Sequence, residues 1–106
     1  MNAVITPTEL ANELQSGMEL VLLDVREPHE LQISVLPGVV AIPLANLPGN
    51  VAQLSKDANI VVICRTGNRS NHAAEYLTQL GFTQVRNLVG GMNRWATEVD
   101  PSMSTY

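Results

Sequence analysis

The chain has 106 residues, with six Lys and Arg against ten Asp and Glu and a formal net charge of −4 at neutral pH. This length suits one domain that buries a single core without a disulfide or a structural metal. The mildly acidic balance argues against a nucleic acid or an anionic membrane as partner. Cys64 is the only cysteine, so an internal disulfide is excluded, and the Cys/His spacing of a zinc site is absent.

The sequence contains no apolar stretch of membrane-spanning length. Its first residues also lack the basic region and hydrophobic core of a signal peptide. We therefore expect a soluble, cytoplasmic protein, in which a reducing environment keeps Cys64 free.

Short apolar strands alternate with amphipathic segments along the chain, which is typical of an α/β domain with a mostly parallel sheet. Thr6, Pro7 and Glu9 form a capping box that predicts the start of the first helix, with Leu10 and Leu14 on its buried face and Gly17 at its end. The elements predicted after it, in chain order, are a strand at 20–23, a short helix at 27–33, a strand at 39–42, a short helix at 46–54, a strand at 60–63, a helix at 70–80, a strand at 85–88 and a final helix after Gly90-Gly91.

The segment around Cys64 carries the clearest chemical signal. Cys64 ends the apolar run 60–63 and opens a loop that leads to a helix predicted to begin at Ser70. The N–H groups of such a loop and the positive end of the helix dipole favour an anion, and Arg65 and Arg69 add full positive charge. These features favour the thiolate, so we predict that Cys64 is a nucleophile in a site for a small anion.

A second polar segment, Asp24-Val25-Arg26, follows the strand at 20–23. Ligands of open α/β sheets bind beyond the carboxyl ends of the strands, so we expect this segment to lie near the Cys64 loop. Asp24 is expected to hold neighbouring loop amides or Arg26 rather than to act on a substrate. Arg26 could pair with Asp24 or Glu27, or reach the donor, and we predict that Asp24 and Arg26 both shape the site.

Four spaced motifs resemble those of rhodaneses. They are Leu23-Asp24-Val25-Arg26-Glu27, Leu36-Pro37-Gly38 with Ile42-Pro43, the loop from Cys64 to Ser70, and Gly81-Phe82 through Gly90-Gly91-Met92 to Trp95. The chain is similar to a single-domain rhodanese, a small sulfurtransferase, over nearly its whole length. The resemblance implies a three-layer α/β domain over residues 1–99, with a central, mostly parallel sheet flanked by helices on both faces. A polar C-terminal tail, 100–106, would follow, and we expect it to be loosely held.

One departure is local. Many rhodaneses have Gly-His-Ile before the Pro-Gly turn, where this chain has Ser34-Val35-Leu36. The two histidines present, His29 and His72, do not replace that residue, and we expect both to face solvent.

The resemblance implies a two-step covalent transfer. Cys64 would take a sulfane sulfur from thiosulfate or a persulfide donor, hold it as a persulfide, and pass it to a thiol or to cyanide. Arg65 and Arg69 would pair with the oxygens of an anionic donor, and Ser70 would cap the following helix and could also bond to the persulfide. The residues implied to cradle the sulfur and bind the donor are Arg65, Thr66, Gly67, Asn68, Arg69 and Ser70.

Three other functions compete with this interpretation. A Cys-dependent phosphatase or arsenate reductase also uses a cysteine and an arginine in an anion-binding loop, but related protein phosphatases have five residues between them and this chain has four. The lack of a second cysteine argues against a Cys-x-x-Cys oxidoreductase. A non-enzymatic binding or thiol-redox module is the third alternative.

The partners implied are a small anionic sulfur donor such as thiosulfate and a thiol acceptor, either a small molecule or a thioredoxin-like protein. No cofactor, metal, nucleic acid or membrane is implied, and the protein is expected to be a monomer or a homodimer.

Overall fold

A computed structural model describes residues 2–106, so Met1, at which the predicted domain begins, lies outside the described residues. Its core is a five-stranded sheet in which every neighbouring pair of strands is parallel, in the order β1-β5-β4-β2-β3. The strands are β1 (Ala3–Ile5), β2 (Val21–Asp24), β3 (Val40–Ala41), β4 (Asn59–Ile63) and β5 (Gln84–Leu88). The helices are α1 (Pro7–Gln15), α2 (Pro28–Leu31), α3 (Asn68–Gln79) and α4 (Gly91–Glu98), with two 3-10 helices at Leu44–Gly49 and Val51–Gln53.

The central strand β4 shows why the sheet is covered on both faces. Ile60 and Val62 belong to the hydrophobic core that includes α3, whereas Val61 and Ile63 belong to the core that includes α1 and α4. Successive side chains of a strand point to opposite faces, so a continuous apolar run requires a helical layer on each side. The predicted three-layer α/β fold is thereby confirmed.

Most predicted elements are present within a residue or two of their expected bounds. The capping box of Thr6 and Glu9 begins α1, as predicted. Leu14, expected on the buried face of the first helix, is 38% exposed. It lies at the C-terminal end of α1, beyond the buried residues Pro7 and Leu10. Strand β1 was not predicted, because three residues give too short a pattern for a period to show.

The tail is bound to the domain rather than loosely held. Met103 packs against the core that includes Trp95. The side chain of Asn93 pairs with the backbone of Tyr106 twice, donating from Nδ2 to the carbonyl at 2.9 Å and accepting the N–H at Oδ1 at 3.0 Å. The Asn93 amide therefore satisfies both backbone hydrogen-bonding groups of Tyr106 and holds the end of the tail against α4.

Within residues 2–106, no helix has the length and apolar character needed to cross a membrane.

Candidate active site

The site lies at the carboxyl edge of the sheet, where β2 and β4 end side by side. Asp24 is the register partner of Ile63, and the N–H of Val25 donates to the Ile63 carbonyl at 3.0 Å. Cys64 follows at the next position. Parallel pairing thus brings the Asp24 segment and the Cys64 loop together at one edge.

Cys64 is 1% exposed, and its sulfur is held by the loop that it opens. The N–H of Gly67 donates to Sγ at 3.0 Å. Gly67 adopts a φ of +107°, which residues with a side chain rarely adopt, and this turn leads the chain from the loop into α3. Helix α3 begins at the next residue, so its first N–H groups have no partner within the helix and lie beside the same loop.

Ser70 links the sulfur to the neighbouring strand β5. Its Oγ lies 3.1 Å from Cys64 Sγ and donates to Oδ1 of Asn87. Asn87 in turn donates from Nδ2 to the Gly67 carbonyl at 3.1 Å, which fixes the orientation of its amide. The expected capping role of Ser70 is wrong. Helix α3 begins two residues earlier, at Asn68, and places Ser70 in its first turn with the hydroxyl facing the sulfur.

The N-terminus of α4 supports the loop backbone from the other side. The N–H of Met92 donates to the Cys64 carbonyl at 2.9 Å, and the N–H of Asn93 donates to the Arg65 carbonyl at 3.1 Å. Gly91 makes this approach possible, because a Cβ there would lie 2.3 Å from the Cys64 carbonyl oxygen. The Gly90-Gly91 pair is therefore a contact surface for the loop as well as a helix start.

Asp24 and Arg26 form a fully buried ion pair. Arg26 donates from Nε and Nη2 to the Asp24 carboxylate at 2.9 and 2.8 Å, and its remaining donors reach the carbonyls of Glu30 and Ser34 and the hydroxyl of Tyr106. Burial opposes the charge, but the bonds to Asp24 and Tyr106 outweigh it and raise the pKa of Arg26. All five guanidinium N–H groups have acceptors, so Arg26 does not reach a donor at the loop.

Arg69 is paired with an acid that the sequence did not single out. Its guanidinium forms a bidentate ion pair with Glu30, in which Nη1 donates to Oε1 at 2.6 Å and Nη2 donates to Oε2 at 2.8 Å. The bond from Arg69 holds the pKa of Glu30 at about 2, against 4.5 ordinarily, and the Glu30 contact raises the pKa of Arg69. Donor binding by Arg69 stays a prediction, and in the structure the charge of Arg69 is largely matched by Glu30.

Arg65 is exposed and has a different neighbour. Its guanidinium lies 5.0 Å from the centroid of the Tyr106 ring, within the range of a cation–π contact. Within residues 2–106, no acid forms an ion pair with Arg65. Thr66 and Asn68 are also exposed on this loop, and the two histidines, His29 and His72, face solvent as expected.

Three residues of the site were missed by sequence reasoning: Glu30, Asn87 and Tyr106. Asn87 gave a faint signal, as a polar residue inside the apolar strand 85–88. Glu30 and Tyr106 gave none, because their partners lie far along the chain; Glu30 and Arg69 are 39 positions apart.

Comparison with known proteins fits this architecture. The model of the rhodanese-like domain matches residues 6–98. The chain belongs to the rhodanese-like family. A crystal structure of a rhodanese-related protein from Thermoplasma volcanium superposes with a TM-score of 0.84 at 33% identity, covering 92% of this chain and 93% of that one. The rhodanese match covers most of the chain, including both polar segments of the site.

Two curated relatives show the range of lengths within the family. The putative sulfurtransferase YtwF of Bacillus subtilis is 37% identical over 97 residues, covering 92% of this chain and 93% of its own. The adenylyltransferase and sulfurtransferase MOCS3 of Arabidopsis thaliana is 34% identical over 118 residues, and the rhodanese chain spans only 25% of its length. The chain therefore corresponds to a whole small relative and to one part of a larger one.

Proposed function

We propose that this protein is a sulfurtransferase that carries a sulfane sulfur on Cys64. The observation that carries the proposal is the position of Sγ, which accepts the Gly67 N–H at 3.0 Å beside the N-terminus of α3. An anionic sulfur at this position is stabilised by the Gly67 N–H, which is already oriented, and by the positive end of the α3 dipole. The Cys64 thiolate is such an anion, and in the persulfide the negative charge lies on the outer sulfur, one bond beyond Sγ.

In the first step, the Cys64 thiolate attacks the outer sulfur of thiosulfate or of a persulfide. A sulfur–sulfur bond forms to Cys64, and the donor's own sulfur–sulfur bond breaks with its electron pair leaving on sulfite or on a thiolate. The enzyme then holds the outer sulfur as a persulfide. Because Cys64 is 1% exposed, the groups that cover the sulfur must move for the donor to reach it.

In the second step, a thiolate or cyanide attacks the outer sulfur of the persulfide. The new bond forms to the acceptor, and the Cys64 thiolate leaves, which returns the enzyme to its starting state. The chain has no second cysteine to attack the persulfide. We therefore propose an acceptor outside these 106 residues, either a small thiol or a thioredoxin-like protein.

The Ser70 hydroxyl assists by changing its hydrogen-bond partner. A hydroxyl has one hydrogen, and that of Ser70 is directed to Asn87 when Cys64 is a thiol that donates to Ser70 Oγ. When the proton is lost, the Ser70 hydrogen can turn to the sulfur and stabilise its charge. Ser70 thus accepts the hydrogen bond of the thiol and donates one to the thiolate, without itself taking up the proton.

Steady-state transfer from thiosulfate to cyanide tests the proposal, with thiocyanate as the product measured. The wild type should turn over, and Cys64→Ser should lose transfer while keeping the circular dichroism spectrum of the wild type. Aryl phosphate is assayed in parallel. Cys64-dependent hydrolysis of the phosphate without sulfur transfer would favour a phosphatase instead. No transfer from thiosulfate or from a glutathione persulfide would favour a binding module.

A further inference from the structure

Tyr106 contacts Arg65 directly and is linked to Arg69 through Glu30. Its ring packs against the Arg65 guanidinium, 5.0 Å from centroid to Cζ. Its hydroxyl donates at 2.7 Å to Oε2 of Glu30, the oxygen that also accepts Arg69 Nη2, and accepts Arg26 Nη1 at 2.9 Å. Burial raises the pKa of the Tyr106 phenol above its usual 10 and keeps it a neutral donor at neutral pH.

Tyr106 is also fixed from behind. Asn93 accepts its N–H and donates to its carbonyl, and the N–H of Asn93 donates to the Arg65 carbonyl. The backbone of Arg65 and the ring beneath its guanidinium are thus held by the same residue of α4. A side chain as flexible as that of arginine loses much of its freedom between two such contacts.

Arg65 differs from Arg26 and Arg69 in having no acidic partner within residues 2–106. Asp24 matches Arg26 and Glu30 matches Arg69, both through direct ion pairs. Arg65 lies one residue from the nucleophile, and within residues 2–106 it has an aromatic neighbour but no acidic partner. An aromatic face holds a guanidinium without neutralising its charge or occupying its N–H groups.

We propose that Tyr106 is a positioning residue that holds Arg65 beside Cys64, so that Arg65 is the loop guanidinium that receives an anionic sulfur donor. The inference rests on the proposed function for the identity of the donor. The orientation of Arg65 itself is a separate property, and it can be measured without sulfur transfer.

Alkylation of Cys64 by iodoacetate and by iodoacetamide provides that measurement. The two reagents have similar size and attack the same thiolate, but only iodoacetate is an anion, so the ratio of their rates reports the positive charge that an anion meets near the sulfur. The thiolate fraction affects both rates equally and cancels from the ratio. Labelling is followed by intact mass in the wild type, Arg65→Gln, Tyr106→Leu, Tyr106→Phe and the double variant Arg65→Gln/Tyr106→Leu.

We expect Arg65→Gln and Tyr106→Leu each to lower the iodoacetate-to-iodoacetamide ratio by about threefold, the scale of one unit charge acting through a partly solvated path. The double variant should show no further fall, because both changes remove the same charge from the same place. Tyr106→Phe keeps the ring and loses the hydroxyl, and it should stay close to the wild type. Asn93→Ala, which frees the Tyr106 backbone, should lower the ratio through the same route and serves if Tyr106→Leu does not fold.

The proposal is overturned if Tyr106→Leu leaves the ratio unchanged, or lowers it as much in the Arg65→Gln background as in the wild type. Failure of both reagents to label Cys64 would contradict it as well, since a donor could not reach the sulfur either. Thiosulfate kinetics separate the two proposals. Non-additive alkylation without any sulfur transfer would uphold the role of Tyr106 and refute the proposed function. Sulfur transfer together with additive effects of the two substitutions on the alkylation ratio would uphold the proposed function and refute the role of Tyr106.

Discussion

Ser70 has one hydroxyl hydrogen and two neighbours that can receive it, Cys64 Sγ at 3.1 Å and Asn87 Oδ1. The Ser70 side chain is fully buried. At the scale of single residues, the Ser70 hydroxyl can therefore accept a hydrogen bond from the Cys64 thiol or donate one to the Cys64 thiolate.

Replacing Ser70 with Ala should lower kcat/KM for sulfur transfer by about 10- to 100-fold, the usual loss when one buried donor to a developing charge is removed. The measurement is steady-state transfer from thiosulfate to cyanide. Thr78→Ala is the matched control, because Thr78 lies on the same helix and its hydroxyl donates to the Ala74 carbonyl at 2.8 Å, away from the sulfur. Equal rates in Ser70→Ala and the control would contradict the role given to Ser70.

Glu30 joins α2 to the Cys64 loop through Arg69, and this contact makes stability depend on acid. The bond from Arg69 lowers the folded-state pKa of Glu30 to about 2, below its usual 4.5. A carboxylate of this kind stabilises the folded state fully above pH 4.5 and loses that contribution as the pH falls to 2.

The free energy of unfolding of Glu30→Gln should therefore lie below that of the wild type at pH 6, and the gap should close by about 2 kcal/mol on going to pH 2. This figure is less than the full shift implies, because the Arg69 side chain is 35% exposed and solvent screens its charge. Urea unfolding at the two pH values measures the gap. Glu75→Gln, a change on the exposed face of α3, is the control, and a gap that stays constant for Glu30→Gln would contradict the assignment.

At the scale of elements, the start of α4 and the Cys64 loop form one unit. The Met92 and Asn93 N–H groups bind two successive loop carbonyls, and Gly91 leaves room for them to do so. This is why the family motif around Gly90-Gly91 accompanies the cysteine loop although it lies more than 20 residues away in the sequence.

Gly91→Ala should destabilise the domain by about 1–3 kcal/mol more than Gly38→Ala, because overpacking against backbone adds to the cost of a positive φ. Both glycines have a positive φ, +57° and +77°, but a Cβ at Gly38 meets nothing within 4 Å. Thermal unfolding of the two variants measures the difference. Equal losses would show that the contact with the Cys64 carbonyl is not tight.

The sequence predicted elements well where a signal is local. The capping box of α1, the apolar run of β4 and the alternation of strands with helices each depend on neighbouring residues, and together they led to the α/β fold. The predicted start of α3 was two residues too late. Ser70 is of a residue type that often caps helices, but in the structure Gly67 supplies the turn that begins the helix. Strand β1 pairs with β5, which lies more than 80 residues away in the sequence, so no local signal predicts it.

At the scale of the whole molecule, the arrangement of charge around Cys64 could not be predicted. The edge at which Asp24 and Cys64 meet follows from parallel strands, but the pairing of Arg69 with Glu30 spans 39 positions and that of Tyr106 with Glu30 spans 76. Packing of the tail creates the Tyr106 contacts, and the ion pair with Glu30 distinguishes Arg69 from Arg65. The seven residues of the tail, 100–106, follow no regular apolar pattern and gave no sign of this in the sequence.

The central claim is that Cys64 carries sulfur, and the intact mass of the protein after brief exposure to thiosulfate tests it most directly. We predict that the wild type gains one sulfur atom, that cyanide or a thiol removes it, and that Cys64→Ala gains none. Addition of sulfur to Cys64→Ala, or no addition to a folded and reduced wild type from either thiosulfate or a glutathione persulfide, would contradict the account.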